Sequence, residues 1–352
     1  MARQRGLDLT PAFSTLLVTA LSTANCDAPS VKITDGALLA PDGGSAACGE
    51  LPVGITSGRI GSEIDQVSAA VRRLVIMGGG AEVDEAARRF VSAAAGGDVL
   101  VLRASGSVDS YTVYFENDLG CDPAPASTTT LRTDDVAAAA DPAVTCRVAQ
   151  AEAIWLAGGD QWDYLGRWPN ALHAALAAAG SRSAFGGTSA GAMALGDVVF
   201  DAEVGSVVSV DALADPLASS VSVGRSPIGQ VELASTVVDT HFTQREREGR
   251  LLVFAAHALR LLQTSPVSAV GLDESAALVV EQGTFTVLAE ADRHVWFYQV
   301  AGPAQLVDGT PLGLSGIRRV QLSAGDRGDW PIDLAAWPSV DLEVVAGVVS
   351  ER

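Results

Sequence analysis

Ser183-Ala184-Phe185-Gly186-Gly187-Thr188-Ser189-Ala190-Gly191-Ala192-Met193-Ala194-Leu195 runs from a short apolar segment, through a glycine turn, into an Ala/Met/Leu helix. At its centre Gly187-Thr188-Ser189-Ala190-Gly191 fits G-x-S-x-G. A serine on a sharp strand-to-helix turn exposes its Oγ, and small neighbours let the backbone turn tightly. The following helix presents amides and a positive dipole end. The Ala190 amide is the natural oxyanion donor there. The alternative reading is a tight turn in which Ser189 merely caps the helix.

The same grammar recurs on either side. Leu74-Val75-Ile76-Met77 is a continuous apolar run ending in Gly78-Gly79-Gly80, as expected of a strand buried on both faces. A helical segment, Glu82 to Ala95, follows, then Asp98 to Leu102 as a second buried strand. Ala153 to Ala157 is a third, ending in Gly158-Gly159-Asp160-Gln161, with an Ala-rich helix over Leu172 to Ala179. Apolar strands alternating with helices predict an α/β fold: a doubly wound, mostly parallel sheet with helices on both faces. Ligands in such folds bind at the carboxyl ends of the strands. The Gly-rich ends should therefore share one edge. A dinucleotide fingerprint is absent, because Val83 stands where the third glycine of G-x-G-x-x-G belongs. Beyond about residue 275 short strand candidates dominate: Ala277 to Glu281, Thr284 to Leu288 and Val295 to Val300. The expected organisation is a leader over 1–26, an N-terminal extension over 27–70, a catalytic α/β domain over 71–289 and a β-rich C-terminal part over 290–352.

With 352 residues, 48% hydrophobic and 18% charged, the chain can bury a large core. A net charge of -19 argues against nucleic-acid partners and against electrostatic docking on anionic membranes. Arg3 and Arg5 precede the apolar stretch Phe13 to Ala20 and the small residues Ser22, Thr23 and Ala24, the pattern of an export signal. The apolar stretch is too short to span a bilayer. An exported, periplasmic, extracellular or lipid-anchored location is expected, Cys26 being the position a lipid would occupy. The cysteines are Cys26, Cys48, Cys121 and Cys146, with no C-x-x-C and no zinc-ligand spacing, so no metal and no cofactor is expected. Export would permit disulfides. The pairing that closes least chain is Cys26–Cys48 with Cys121–Cys146.

A serine nucleophile needs a base, usually histidine. His173 and His257 lie in apolar helices and His294 lies near Trp296, all readable as packed or surface residues. His241 instead follows the strand-like run Ser235 to Val238 and Asp239-Thr240, which puts it at a strand end.

At Gly186-Gly187-Thr188-Ser189-Ala190-Gly191-Ala192 the sequence resembles the cyanophycinase and peptidase E family of serine exopeptidases. Gly158-Gly159-Asp160-Gln161 resembles that family's strand-end G-G-D-Q. The segment from Asp239-Thr240-His241-Phe242 to Gly249-Arg250 is similar to its D-x-H-F-x-x-R-x-R-x-G-R. Gly271-Leu272-Asp273-Glu274-Ser275-Ala276-Ala277-Leu278 resembles its G-x-D-E-x-x-A-L. The resemblance spans roughly residues 72–285. It implies a fold like that of class I glutamine amidotransferases. It also implies a hydrolase in which Ser189 attacks a peptide or isopeptide carbonyl, His241 is the base, and Gly159 or Asp160 together with Ala190 supply oxyanion amides. Gln161, Asp239, Arg245, Arg247 and Arg250 fall on the positions that recognise a β-aspartyl-arginine unit, so the implied partner is a peptide substrate such as cyanophycin. Thr240 stands where cyanophycinases proper tend to have Gln, and Glu246 and Glu248 where apolar residues are usual. Without the resemblance, the Arg/Glu run reads as a solvated helix start.

The third member should be a carboxylate that orients His241. The resemblance implies a Glu in the interval between Ser189 and His241. Asp211 is the choice here, followed by Glu203 and Asp201, with Asp273 outside the interval. Asp239 is better suited to the pocket than to orienting a neighbour on the same strand. Two other readings stay open: a different exported serine hydrolase, and a non-catalytic binding module on the same scaffold. A homodimer is compatible with either.

Overall fold

The computed structural model describes residues 47–352. The expected leader over 1–26, with Cys26, lies outside them. The described chain is α/β, as its strand and helix alternation predicts, but it is built on two sheets rather than one.

The first sheet is centred on five parallel strands: β4 (Ser127–Arg132), β3 (Asp98–Arg103), β5 (Ala153–Leu156), β6 (Ala184–Thr188) and β2 (Arg73–Met77). Antiparallel strands flank them. β1 (Thr56–Gly61) pairs with β4, and β11 (Ala276–Glu281), β12 (Thr284–Ala289) and β16 (Arg327–Asp329) continue outward from β2. The second sheet has the order β18 (Val348–Glu351), β17 (Val340–Val345), β15 (Gly313–Leu322), β13 (Val295–Val300), β10 (Val267–Leu272), β9 (Thr236–Asp239), β7 (Val198–Phe200), β8 (Val223–Arg225). Short β14 (Ala304–Gln305) pairs with β15. Only β7–β9 and β9–β10 are parallel here. The β-rich C-terminal stretch thus extends both sheets.

The apolar runs are central because they are apolar on both faces. Every residue of β5 and β6 is buried. Val75, Val101 and Trp155 pack on one face with Phe90 of α1 (Asp84–Ser92), beyond which lies α2 (Asp109–Val113). Ile76, Leu100 and Ile154 pack on the other face. Their layer is shared with α3 (Pro142–Gln150) and α4 (Asn170–Ala179), and with Val238, Val270 and Phe297 of the second sheet. The far face of that sheet is covered by α7 (Glu248–Leu262), against which α6 (Ser209–Ala214) packs; α5 (Ala190–Ala194) follows β6 directly.

Two features of the chain were not readable as regular structure. The Cys121–Cys146 stretch contains β4, a buried strand that ends the parallel ladder between β3 and antiparallel β1. Its Thr residues satisfy their hydroxyls internally: Thr130 Oγ1 is 2.8 Å from Thr112 Oγ1, and Thr128 donates to Glu116 at 2.9 Å. The disulfide expectation is corrected as well. Cys48 is bonded to Cys146 across 98 residues, with Cα atoms 5.4 Å apart. The bond ties the segment before β1 to α3, where Arg147 also donates to the Gly49 carbonyl at 3.0 Å. Proximity in the fold, not least chain length, selects the partner. Cys121 is disulfide-bonded too.

Candidate active site

Ser189 follows β6 as the N-cap of α5, with φ 52° and ψ -121°, a left-handed conformation unusual for a residue with a Cβ. Such strain costs of order 1–3 kcal/mol and persists only where the surroundings over-determine it. They do so here. The Ser189 amide donates to the Met77 carbonyl at 3.1 Å. A Cβ on Gly187 would lie 2.8 Å from the Gly191 carbonyl carbon, and one on Gly191 would collide with the Leu156 carbonyl. The G-x-S-x-G spacing is thus required by the backbone packing of β5, β6 and α5.

His241 follows β9 and also has a positive φ, 48°. Its amide donates to the Gly78 carbonyl at 2.8 Å, and the next amide, of Phe242, donates to Leu272 at 3.0 Å. The first of these bonds reaches the end of β2 in the first sheet, the second the end of β10 in the second. His241 Nε2 lies 2.7 Å from Ser189 Oγ. Gly79, at φ 89°, passes so close beneath the imidazole that a Cβ there would sit 2.6 Å from Nε2. Only glycine combines that angle with that approach.

His241 Nδ1 lies 2.6 Å from Glu274 Oε1. This corrects the expected acid. Asp211 is exposed on the first turn of α6, whose Ala212 and Leu213 take the buried positions. Asp201 accepts from Ser222 at 2.9 Å, Glu203 is exposed, and Asp273 binds Thr243. Glu274 lies in the turn between β10 and β11, where the chain leaves the second sheet for the first. Strand pairing places it there. β9 and β10 are adjacent and parallel, with Asp239 opposite Gly271. Residues just beyond their ends must therefore be neighbours.

Burial lowers the His241 pKa below its ordinary value. The Glu274 hydrogen bond opposes this, and the Arg245 and Arg247 cations reinforce it. The imidazole is accordingly neutral at pH 7 and able to accept a proton. His173 and His257 are held elsewhere, Nε2 lying 2.7 Å from the Tyr164 carbonyl and 2.6 Å from the Pro216 carbonyl.

The strand-end glycines come to the same edge. A Cβ on Gly158 would be 3.4 Å from that of Ser189, so the Gly158-Gly159-Asp160 backbone borders Ser189. Asp160 turns its carboxylate to the Trp162 amide at 3.0 Å. Gln161 Nε2 donates to the Phe200 carbonyl at 3.4 Å.

The five expected substrate contacts divide. Asp239 is fully buried and its carboxylate is consumed: Arg250 binds it through Nη2 and Nε at 2.6 and 2.7 Å, and Arg247 at 3.3 Å. Arg250 is 1% exposed, donates also to Ser206 and Val207, and lies over the rings of Phe200 and Phe254. These two residues form an internal ion pair, so their assignment to substrate is corrected. Arg247 is buried beside them, and burial lowers its guanidinium to about 10. Arg245 is exposed near His241. Arg245 and Gln161 are the ones left with access to a ligand.

No family profile and no curated protein sequence matches the chain. Among solved structures it is similar to a peptidase from an acI-B1 actinobacterium, at 19% identity and a TM-score of 0.48, over 74% of this chain and 98% of that one. It is also similar to a protein of Listeria monocytogenes EGD-e provisionally named peptidase E, at 13% identity and a TM-score of 0.39, over 63% of this chain and all of the other.

Proposed function

We propose that the protein is a serine-type peptidase acting through an acyl-enzyme, with Ser189 as nucleophile, His241 as base and Glu274 as the orienting acid. The observation that carries this reading is the continuous relay from a strained Ser189 through His241 to Glu274. Ser189 Oγ attacks the carbonyl carbon while Nε2 takes its proton, and Nδ1–H stays on Glu274. The oxyanion is met by amides of the Gly159-Asp160 loop and of Ala190. The imidazolium then protonates the leaving amine, and water, deprotonated by the same nitrogen, releases the acyl group.

Within that chemistry the substrate is read as a β-aspartyl-arginine or related aspartyl peptide, cyanophycin included, on the resemblance of the G-G-D-Q, D-x-H-F and G-x-D-E segments. Exposed Arg245 is available to a substrate carboxylate, whereas Asp239 and Arg250 are held by each other. The test is incubation of purified protein with β-aspartyl-arginine peptides and with cyanophycin, beside Ser189→Ala. Product release by the wild type alone supports the whole reading. Fluorophosphonate labelling of Ser189 without release keeps the serine hydrolase and discards the substrate. Absence of both supports a binding module.

A further inference from the structure

Resting on that hydrolase reading, the geometry points to a second layer: Asp273, Thr243 and Gln244 form a clamp that sets His241 against Glu274, making them positioning residues for the reaction. The relay's two outer members stand on separate turns, one after β9 and one after β10. The ladder joining these strands ends at Gly271 opposite Asp239. Past that point one backbone bond joins the two turns directly, from the Phe242 amide to the Leu272 carbonyl at 3.0 Å, and the 2.6 Å contact from Nδ1 to Glu274 must still be kept. Functional groups need placement to within about 0.5 Å.

Side chains reinforce that backbone link. Asp273 Oδ1 accepts from the Thr243 amide at 3.0 Å and from its hydroxyl at 2.8 Å. Gln244 Nε2 donates to Thr243 Oγ1 at 2.9 Å, and its Oε1 accepts from the Glu274 amide at 2.8 Å. The circuit closes: two residues next to His241 grip Glu274 and the residue before it. Asp273 Oδ2 also accepts from the His294 amide at 3.0 Å, anchoring the clamp to the second sheet. Asp273 is 1% exposed, and among the described residues no cation pairs with it. A buried carboxylate held by neutral donors is costly unless each bond is made. That makes the arrangement sensitive to the exact separation of the turns.

Thr243 offers the cleanest test, because it is exposed. Thr243→Val removes the hydroxyl at the centre of the circuit, and Thr243→Ser restores it. Three readouts are taken on the full chain: the fluorophosphonate labelling rate, the low-field proton resonance of the His241 Nδ1–H bond (assigned by its absence from His241→Asn), and the Tm. Thr243→Val should label about tenfold to a hundredfold slower, the loss expected of displacements up to about 1 Å. Its low-field resonance should broaden or vanish, and Thr243→Ser should recover both. Asp273→Asn should behave as Thr243→Val. A lower Tm with resonance and labelling unchanged would show a merely structural contact and overturn the clamp. Wild-type protein that never labels would instead sink the hydrolase, and the resonance, read on unreacted protein, would still decide the clamp.

Discussion

Replacing Glu274 by Gln keeps the side-chain shape and removes the charge behind His241. In the native site the carboxylate accepts from Nδ1 at 2.6 Å and is 34% exposed. A hydrogen bond to an ionised partner contributes about 1.5–3 kcal/mol. Partial exposure lets water replace some of it, so about 2 kcal/mol is lost, roughly thirtyfold in rate at 1.36 kcal/mol per decade. The amide adds a second penalty. Its N–H₂ can face Nδ1 and place the imidazole proton on Nε2, the atom that must accept from Ser189, and a wrong tautomer of this kind costs up to about 10⁴. Glu274→Gln should therefore label with fluorophosphonate between about thirtyfold and 10⁴-fold slower than wild type. Glu274→Ala, which admits water, should lie near the lower figure, and Asp211→Asn should label normally. Wild-type labelling by Glu274→Gln, or an equal defect in Asp211→Asn, would refute the assignment.

Three further outcomes follow from the electrostatics. Because burial holds His241 below its ordinary value, activity should rise with pH through a midpoint under 6.5 and be flat above it. Arg245→Gln removes a cation that depresses it, so the midpoint should move upward; a fixed or lowered midpoint would contradict the geometry. Glu82 accepts from Tyr111, and Thr188 also bonds the carboxyl, yet burial outweighs both and pushes it up to about 7. A carboxyl raised in the fold loses stability as pH climbs from its unfolded value through the folded one, here at most about 3 kcal/mol. Glu82→Gln should thus gain in Tm relative to wild type between about pH 5 and pH 8. A pH-independent difference would place the cost elsewhere. Asp239→Asn leaves two buried guanidinium groups short of charge and should cost about 3–5 kcal/mol of stability in denaturant unfolding. A pure KM effect at unchanged stability would restore Asp239 to the substrate pocket.

Much of the fold is written locally. Leu74 to Met77, Ala153 to Leu156 and Val295 to Val300 are apolar or alternating runs whose period alone marks them as strands, and each is one. The Ser189 elbow is equally local, because the glycines that permit it lie within two residues of it in the chain. Ser127 to Arg132 was illegible for the opposite reason. Its serine and threonines look like loop residues until Asp98 accepts from Ser127, Glu116 accepts from Thr128, and Thr130 pairs with Thr112.

What remained hidden were choices among equivalent groups. Several carboxylates could have oriented His241, and the cysteines could pair in more than one way; nothing near any of them in sequence discriminates. Tertiary structure discriminates by distance. Parallel β9 and β10 end side by side and bring Glu274 to the imidazole. The burial of Asp239 with Arg250 removes both from the ligand's reach. Residue type and spacing establish that a strained serine and a strand-end histidine exist, because those properties belong to a short piece of backbone. Which acid completes the relay, and which arginine faces solvent, depends on groups that meet only when two sheets share an edge.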